Sequence, residues 1–217
     1  MILLHGVYGS HWAWAQCGGA HLTTARLIVA GEIPPLVLAM PSDGLWGEGS
    51  GYGPHSGRDF ARWIVDDVPE IARLAGSGVT AASPQFLAGL SMGGFGALRL
   101  AARYPREFRG ASGHSCVTDL RQLAGHITPP YAVPPVAGAD RSVLATMLQR
   151  RTELPPFRFD CGTADELLPE NRRLHAELLA AGIPHEYQEF PGGHHWPYWE
   201  RHLADTLRFF ARILPRG

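Results

Sequence analysis

The sequence predicts an α/β fold, a mainly parallel central sheet flanked by helices on both faces. Three observations point there. Short apolar runs of strand length alternate with helical patterns, the order of β-α units rather than of bundles or sandwiches. The residues able to do chemistry fall at the ends of those strands, where parallel sheets carry their sites. The length of 217 residues, with 45% apolar and 18% charged, suits one core of that kind. Residues 1–217 are therefore read as one domain.

Ile2-Leu3-Leu4 is the first strand, ended by His5-Gly6, and Leu36-Val37-Leu38-Ala39 is a second, stopped by Pro41. Residues 59–74 read as a helix presenting Phe60, Trp63, Ile64, Val68, Ile71 and Leu74 on one face, with a kink at Pro69. Gln85 to Gly89 is the third strand, followed at once by a helix through Phe95, Leu98, Leu100 and Ala102 to Tyr104-Pro105. Phe108 to Ser112 and Phe157 to Cys161 are the fourth and fifth strands. A helix from Pro169 to Ala181 stops at Gly182, and His185 to Phe190 is the sixth strand. The last helix begins near Pro197 and buries Trp199, Leu203, Leu207, Phe210 and Ile213. Residues 125–140, with Pro129-Pro130 and Pro134-Pro135, break the pattern and read as a lid, a pocket wall or a plain connector.

Composition narrows the partners. With a formal net charge of −1 and no basic stripe, nucleic acid is an unsuitable ligand. No run approaches the eighteen or so apolar residues of a membrane span, and the opening Met1-Ile2-Leu3-Leu4 lacks the basic start of a secretory signal. Cys17, Cys116 and Cys161 form no disulfide spacing, which points to a reducing compartment and a cytoplasmic location. No H-E-x-x-H or paired Cys/His pattern occurs, so neither a metal nor another cofactor is expected.

Gly89-Leu90-Ser91-Met92-Gly93 is a G-x-S-x-G pattern, extended by Gly94. Alone it could be an ordinary turn. Here an apolar strand precedes it and a helix follows, the context in which a serine projects its Oγ above a sheet as a nucleophile. Side chains at Gly89 and Gly93 would collide across such a turn. A helix N-terminus behind the serine also favours the negative charge that develops in acyl transfer.

A serine nucleophile needs a base and an acid, and in this arrangement they follow it in the order acid, then histidine. Asp165, just past the fifth strand, is the best-placed carboxylate; Asp160 lies inside the strand and Glu166 is adjacent, so both are rivals. The histidine lies in Pro191-Gly192-Gly193-His194-His195-Trp196, where two neighbours compete for the role. The oxyanion needs backbone N–H donors, expected from Met92 after the nucleophile and from Val7 in the His5-Gly6-Val7 loop. His5 itself reads as a packing residue that shapes that loop. Tyr8, Trp12, Trp14, Trp46 and Trp196 are candidates to line a substrate pocket, although such rings serve more often in packing.

These stretches together resemble the esterase family that includes esterase D, S-formylglutathione hydrolase, the feruloyl esterases and the mycolyltransferases. The likeness rests on Leu3-Leu4-His5-Gly6, Gly89 to Gly94, Tyr104-Pro105 with Phe108, Cys161 to Asp165, and Pro191 to His194 with Trp196 and Trp199. It implies an α/β-hydrolase fold, a triad of Ser91, Asp165 and His194, and oxyanion donors at Val7 and Met92. By the same likeness His194 rather than His195 is the base. The His194 segment resembles the feruloyl and general esterase branch more than the glutathione thioester enzymes. The first strand starts at residue 2, where family members usually carry two or more strands ahead of it. An open sheet edge is therefore expected, to be covered by a second copy or an upstream domain. The expected substrate is a small-molecule ester of a short-chain or aromatic acid. The same acyl-enzyme could serve an acyltransferase, and a hydrolase shell could be kept as a binding domain without catalysis.

Overall fold

The computed structural model describes residues 1–43, 50–55, 57–125, 136 and 138–214. Strand β1 (Ile2–Leu4) leads into a loop, then helices α1 (Ala13–Gln16) and α2 (Ala20–Val29). A two-strand hairpin, β2 (Pro54–His55) and β3 (Arg58–Asp59), opens α3 (Phe60–Arg62), whose N-terminus is capped by the Asp59 carboxylate. A π turn, Trp63–Asp67, joins α3 to α4 (Val68–Leu74). Then follow β4 (Phe86–Leu90), α5 (Met92–Arg103), β5 (Gly110–His114), α6 (Val143–Gln149), β6 (Phe157–Gly162), α7 (Leu168–Ala180), β7 (Glu186–Phe190) and α8 (Trp196–Ile213).

The sheet is fully parallel in the order β1-β4-β5-β6-β7. Residues alternate between its faces, as a pleat demands. Ile2, Leu4 and Leu87 pack with Ile64, Leu98 and Leu174 on one face; Leu3, Ala88 and Leu90 pack with Trp14, Leu27, Leu203 and Leu207 on the other. Burying each of these leucines and isoleucines stabilises the fold by roughly 1.5–3 kcal/mol. With helices on both faces, only the strand ends remain for a site.

Several expectations shift. The segment Leu36–Ala39 forms no regular strand; it lies along β1 through a single parallel bridge, Ile2 to Ala39, with Leu3 N–H donating to Ala39 C=O at 2.8 Å. That contact partly covers the edge of β1 expected to be open. The fourth strand runs two residues later than expected, at Gly110–His114.

Ile71 and Leu74 are exposed, whereas Val65 is buried. The cause is the π turn ahead of Pro69. Its wider i→i−5 bond, Val68 N–H to Trp63 C=O, absorbs the proline by adding a residue to the turn, and the following face rotates.

Of the 125–140 loop, residues 126–135 and 137 lie outside the described residues. Val136 is buried, and Gly138–Arg141 forms a 3₁₀ turn. Among the described residues no helix is long and apolar enough to cross a membrane.

Candidate active site

Ser91 sits between β4 and α5 with φ 53° and ψ −119°, a conformation that L side chains rarely adopt. Such strain costs roughly 1–3 kcal/mol and persists only where the surroundings impose it. They do so here. Ser91 N–H donates to His114 C=O at 2.9 Å, while its own C=O accepts from Phe95 N–H at 3.1 Å and Val117 N–H at 3.2 Å. A Cβ on Gly89 would lie 2.3 Å from the Gly93 oxygen, and one on Gly93 would lie 2.3 Å from Leu4 O. Only glycine lets the elbow close against β1.

Two further strand ends deliver a carboxylate and an imidazole. The turn after β6 and the loop after β7 are tied together by Thr163 N–H to Phe190 C=O and Ala164 N–H to Gly192 C=O, both 2.8 Å. A Cβ on Gly162 would fall 2.4 Å from Gly192 O, so the two loops cross in contact. Asn171, fully buried on α7, bonds through its amide to Cys116 C=O at 2.9 Å and Leu167 C=O at 2.8 Å, joining the loop after β5 to the same turn.

The resulting geometry is compact. His194 Nε2 stands 3.1 Å from Ser91 Oγ, and its Nδ1 stands 3.1 and 3.0 Å from the two oxygens of Asp165. Asp165 also accepts Leu167 N–H at 2.9 Å. Burial opposes ionisation of Asp165, but the bond and charge of His194, together with the Ser115 hydroxyl and the Leu167 N–H, outweigh it and hold the carboxyl below its usual range. The His194 side chain is 25% exposed and Ser91 is almost buried, so the pair opens to solvent from the imidazole side.

The rivals go elsewhere. Glu166 is exposed, and Asp160 lies beneath the sheet end, bonded to His114, Arg158 and Tyr198. His195 caps α8 instead, its Nδ1 accepting Tyr198 N–H at 3.3 Å. Met92 opens α5 and is buried. The loop carrying Val7 abuts the serine: a Cβ on Gly6 would lie 3.3 Å from Ser91 Cβ.

Tyr8 follows with φ 59° and is 47% exposed; Trp12 is half-buried at the start of α1. Trp196 packs edge-on against both Trp14 and Trp199, and it is Trp199 that meets the His194 ring, at 4.9 Å between centroids. Trp46 lies outside the described residues. Sequence reasoning passed over Trp199 as a wall of the site. It also passed over Asp43 and Tyr52, which hold His5: Asp43 N–H lies 3.2 Å from His5 Nε2, and the Tyr52 hydroxyl donates to His5 C=O at 2.8 Å. Among the described residues no group of three or more His, Cys, Asp or Glu is arranged to hold a metal.

The Esterase family model, described as "Putative esterase", matches residues 57–210. An acetyl esterase of Caldicellulosiruptor saccharolyticus is 28% identical over 232 residues, covering 98% of this chain and 83% of that protein. An esterase of Mycobacterium tuberculosis is 30% identical over 78% of the chain, which spans 43% of that protein's length. Among solved structures, a ferulic acid esterase superposes with a TM-score of 0.83 at 25% identity, over 98% of this chain and 84% of that one. A fluorophosphonate-binding serine hydrolase of Staphylococcus aureus superposes at 0.81 with 18% identity, over 99% and 83% of the two chains, and shares the fold.

Proposed function

Because the chain belongs to the Esterase family and is a carboxylic ester hydrolase, we propose that it cleaves small esters through an acyl-enzyme on Ser91. His194 Nε2 takes the Ser91 proton as Oγ bonds to the ester carbonyl carbon. Asp165 holds the imidazole by its Nδ1–H and offsets the positive charge that forms on the ring. The tetrahedral oxyanion is held by the N–H groups of Val7 and Met92, the second at the N-terminus of a twelve-residue helix. His194 returns the proton to the leaving alkoxide as the ester C–O bond breaks. It then deprotonates a water that attacks the acyl carbon, and the acid leaves as the Ser91 hydroxyl is restored. No metal or other cofactor enters any of these steps.

The observation that carries this reading is the continuous relay from Ser91 Oγ through His194 to Asp165, with each step at 3.0–3.1 Å. The substrate class we propose is an ester of a short-chain or aromatic acid. It rests on the names of the acetyl and ferulic acid esterase relatives and on aromatic side chains near the site. Turnover of p-nitrophenyl esters from acetate to octanoate, with fluorophosphonate labelling, tests it. Wild type should be active and labelled, with a preference for short chains or for a feruloyl ester. A folded wild type that neither turns over nor labels would overturn the mechanism, and a preference for octanoate would overturn the substrate class.

A further inference from the structure

The oxyanion loop carries more machinery than a glycine turn needs. Gly6 C=O accepts two hydrogen bonds, from His5 Nδ1 at 2.7 Å and from Gly9 N–H at 3.1 Å. A carbonyl can only accept, so His5 carries its proton on Nδ1. Its Nε2 is then an acceptor, and Asp43 N–H at 3.2 Å fills it. The Asp43 carboxylate stands 3.6 Å from the same nitrogen and accepts Ser50 N–H at 2.8 Å. His5 and Asp43 are 2% and 1% exposed, and burial keeps His5 below its usual pKa although Asp43 pulls the other way. One residue earlier, His5 C=O accepts the Tyr52 hydroxyl, and Tyr52 is itself fully buried.

The peptide unit held in this way is Gly6–Val7. In a trans peptide the N–H points opposite to the C=O. Pinning Gly6 C=O toward His5 and Gly9 therefore turns Val7 N–H to the other side of the peptide plane. Among the described residues that N–H has no hydrogen-bond acceptor. Accepting bonds at the carbonyl also strengthens the N–H as a donor, by roughly 10–30% per bond.

We propose that His5, steadied by Asp43, is a positioning residue for ester cleavage, which orients and polarises the Gly6–Val7 peptide so that Val7 N–H meets the oxyanion. This rests on the Ser91 acyl-enzyme reading above. His5 touches neither substrate nor Ser91; it acts through one peptide bond.

Two conservative replacements separate this role from plain packing. An Asn at position 5 sets its amide NH₂ near the place of Nδ1 and can still donate to Gly6 C=O. A Gln sets its amide near Nε2 and leaves that carbonyl without its side-chain donor. With p-nitrophenyl acetate, and sites counted by fluorophosphonate titration, His5→Gln should lose on the order of 10² in kcat, as when an oxyanion donor is misplaced. Its KM should stay within about threefold, and His5→Asn should recover at least tenfold of the kcat loss. Affinity for a trifluoromethyl ketone, which forms an oxyanion on Ser91, should fall in step with kcat/KM. Equal kcat for the Asn and Gln variants per titrated site, or analogue affinity unchanged in the Gln variant, would overturn the proposal. If the Asn variant does not fold, the ketone affinity and kcat of the Gln variant against wild type decide the matter; if the Gln variant does not fold, His5→Ala, which also lacks the donor, takes its place. A wild type that turns over and labels at Ser91 while His5→Gln matches it defeats this inference alone; a wild type without either defeats the parent reading too.

Discussion

Two hydroxyl–histidine–aspartate relays stand within this one fold. In the first, Ser91 Oγ lies 3.1 Å from His194 Nε2, whose Nδ1 lies 3.0 Å from Asp165. In the second, Thr206 Oγ1 lies 3.0 Å from His114 Nε2, whose Nδ1 lies 3.0 Å from Asp160. The distances barely differ, so distance alone does not make an active site. The surroundings differ. His114 and Asp160 are wholly buried, and Thr206 Oγ1 is already engaged by Ser112 Oγ at 2.6 Å and Arg158 at 3.1 Å. Arg158 also pairs with Asp160 at 2.8 Å and offsets its charge. Ser91 instead stands on a strained turn at a helix N-terminus, beside a loop with an amide unengaged among the described residues and an imidazole open to solvent. The same triplet is therefore a structural brace in one place and, in the mechanism proposed above, the catalyst in the other.

The comparison breaks most visibly at the hydroxyls. Ser91→Ala should lower kcat/KM by on the order of 10⁴–10⁶ and leave the thermal midpoint nearly unchanged. Thr206→Val should do the reverse, costing about 1–3 kcal/mol in urea unfolding with activity per titrated site within a few-fold of wild type. If Thr206→Val lost activity at full fold, the inner relay would have to be coupled to the chemistry.

The aspartates sharpen the contrast. Asp165→Asn should cost on the order of 10³–10⁴ in kcat, because the amide no longer fixes the imidazole tautomer. Asp160→Asn should leave kcat near wild type but destabilise by about 3–5 kcal/mol, since it strands Arg158 among buried groups.

A pH series adds a second signature. Burial would raise the Asp160 pKa, yet His114 and Arg158 hold it at about 2, below the 3.8 of a free side chain. The unfolded chain thus takes up its proton first as pH falls. The stabilisation from Asp160 is complete above about pH 4–5 and is lost as pH drops toward 2. Asp165, also depressed, adds to the slope in the same direction. Urea midpoints between pH 5 and 2.5 should fall steeply in wild type and less steeply in Asp160→Asn; parallel curves would refute the assignment.

What the sequence disclosed follows from how local each signal is. The elbow is local: a strand, two glycines around a serine and a helix, all within fifteen residues, so Ser91 was legible. Asp165 and His194 were legible as candidates because each follows a strand end, although choosing His194 over His195 needed the family likeness. The Asp43–His5 and Asp160–His114 contacts were not legible, since their partners are 38 and 46 residues apart and meet only in the folded chain. The first two helices and α6 escaped notice, α6 despite Ser142 standing before an apolar run as its N-cap. The outward turn of Ile71 and Leu74 was hidden because helical spacing assumes an α pitch, and a π turn stands ahead of Pro69 instead.

The smallest effect tests the finest distinction, that between two adjacent histidines. His194→Ala should be as damaging to kcat as Ser91→Ala, since both remove a member of one relay. His195→Ala removes the ring that accepts Tyr198 N–H at the start of α8 and lies 3.2 Å from Gly193 N in the preceding loop. Losing such a cap should cost about 1 kcal/mol of stability. A secondary loss of at most a few-fold in kcat is expected, because α8 follows directly on the loop that carries His194. Paired kcat and urea measurements on the two variants check this. Were His195→Ala to abolish turnover and His194→Ala to spare it, the base would have to be reassigned to His195. The relay distances around His194 would then describe a resting arrangement rather than the reactive one.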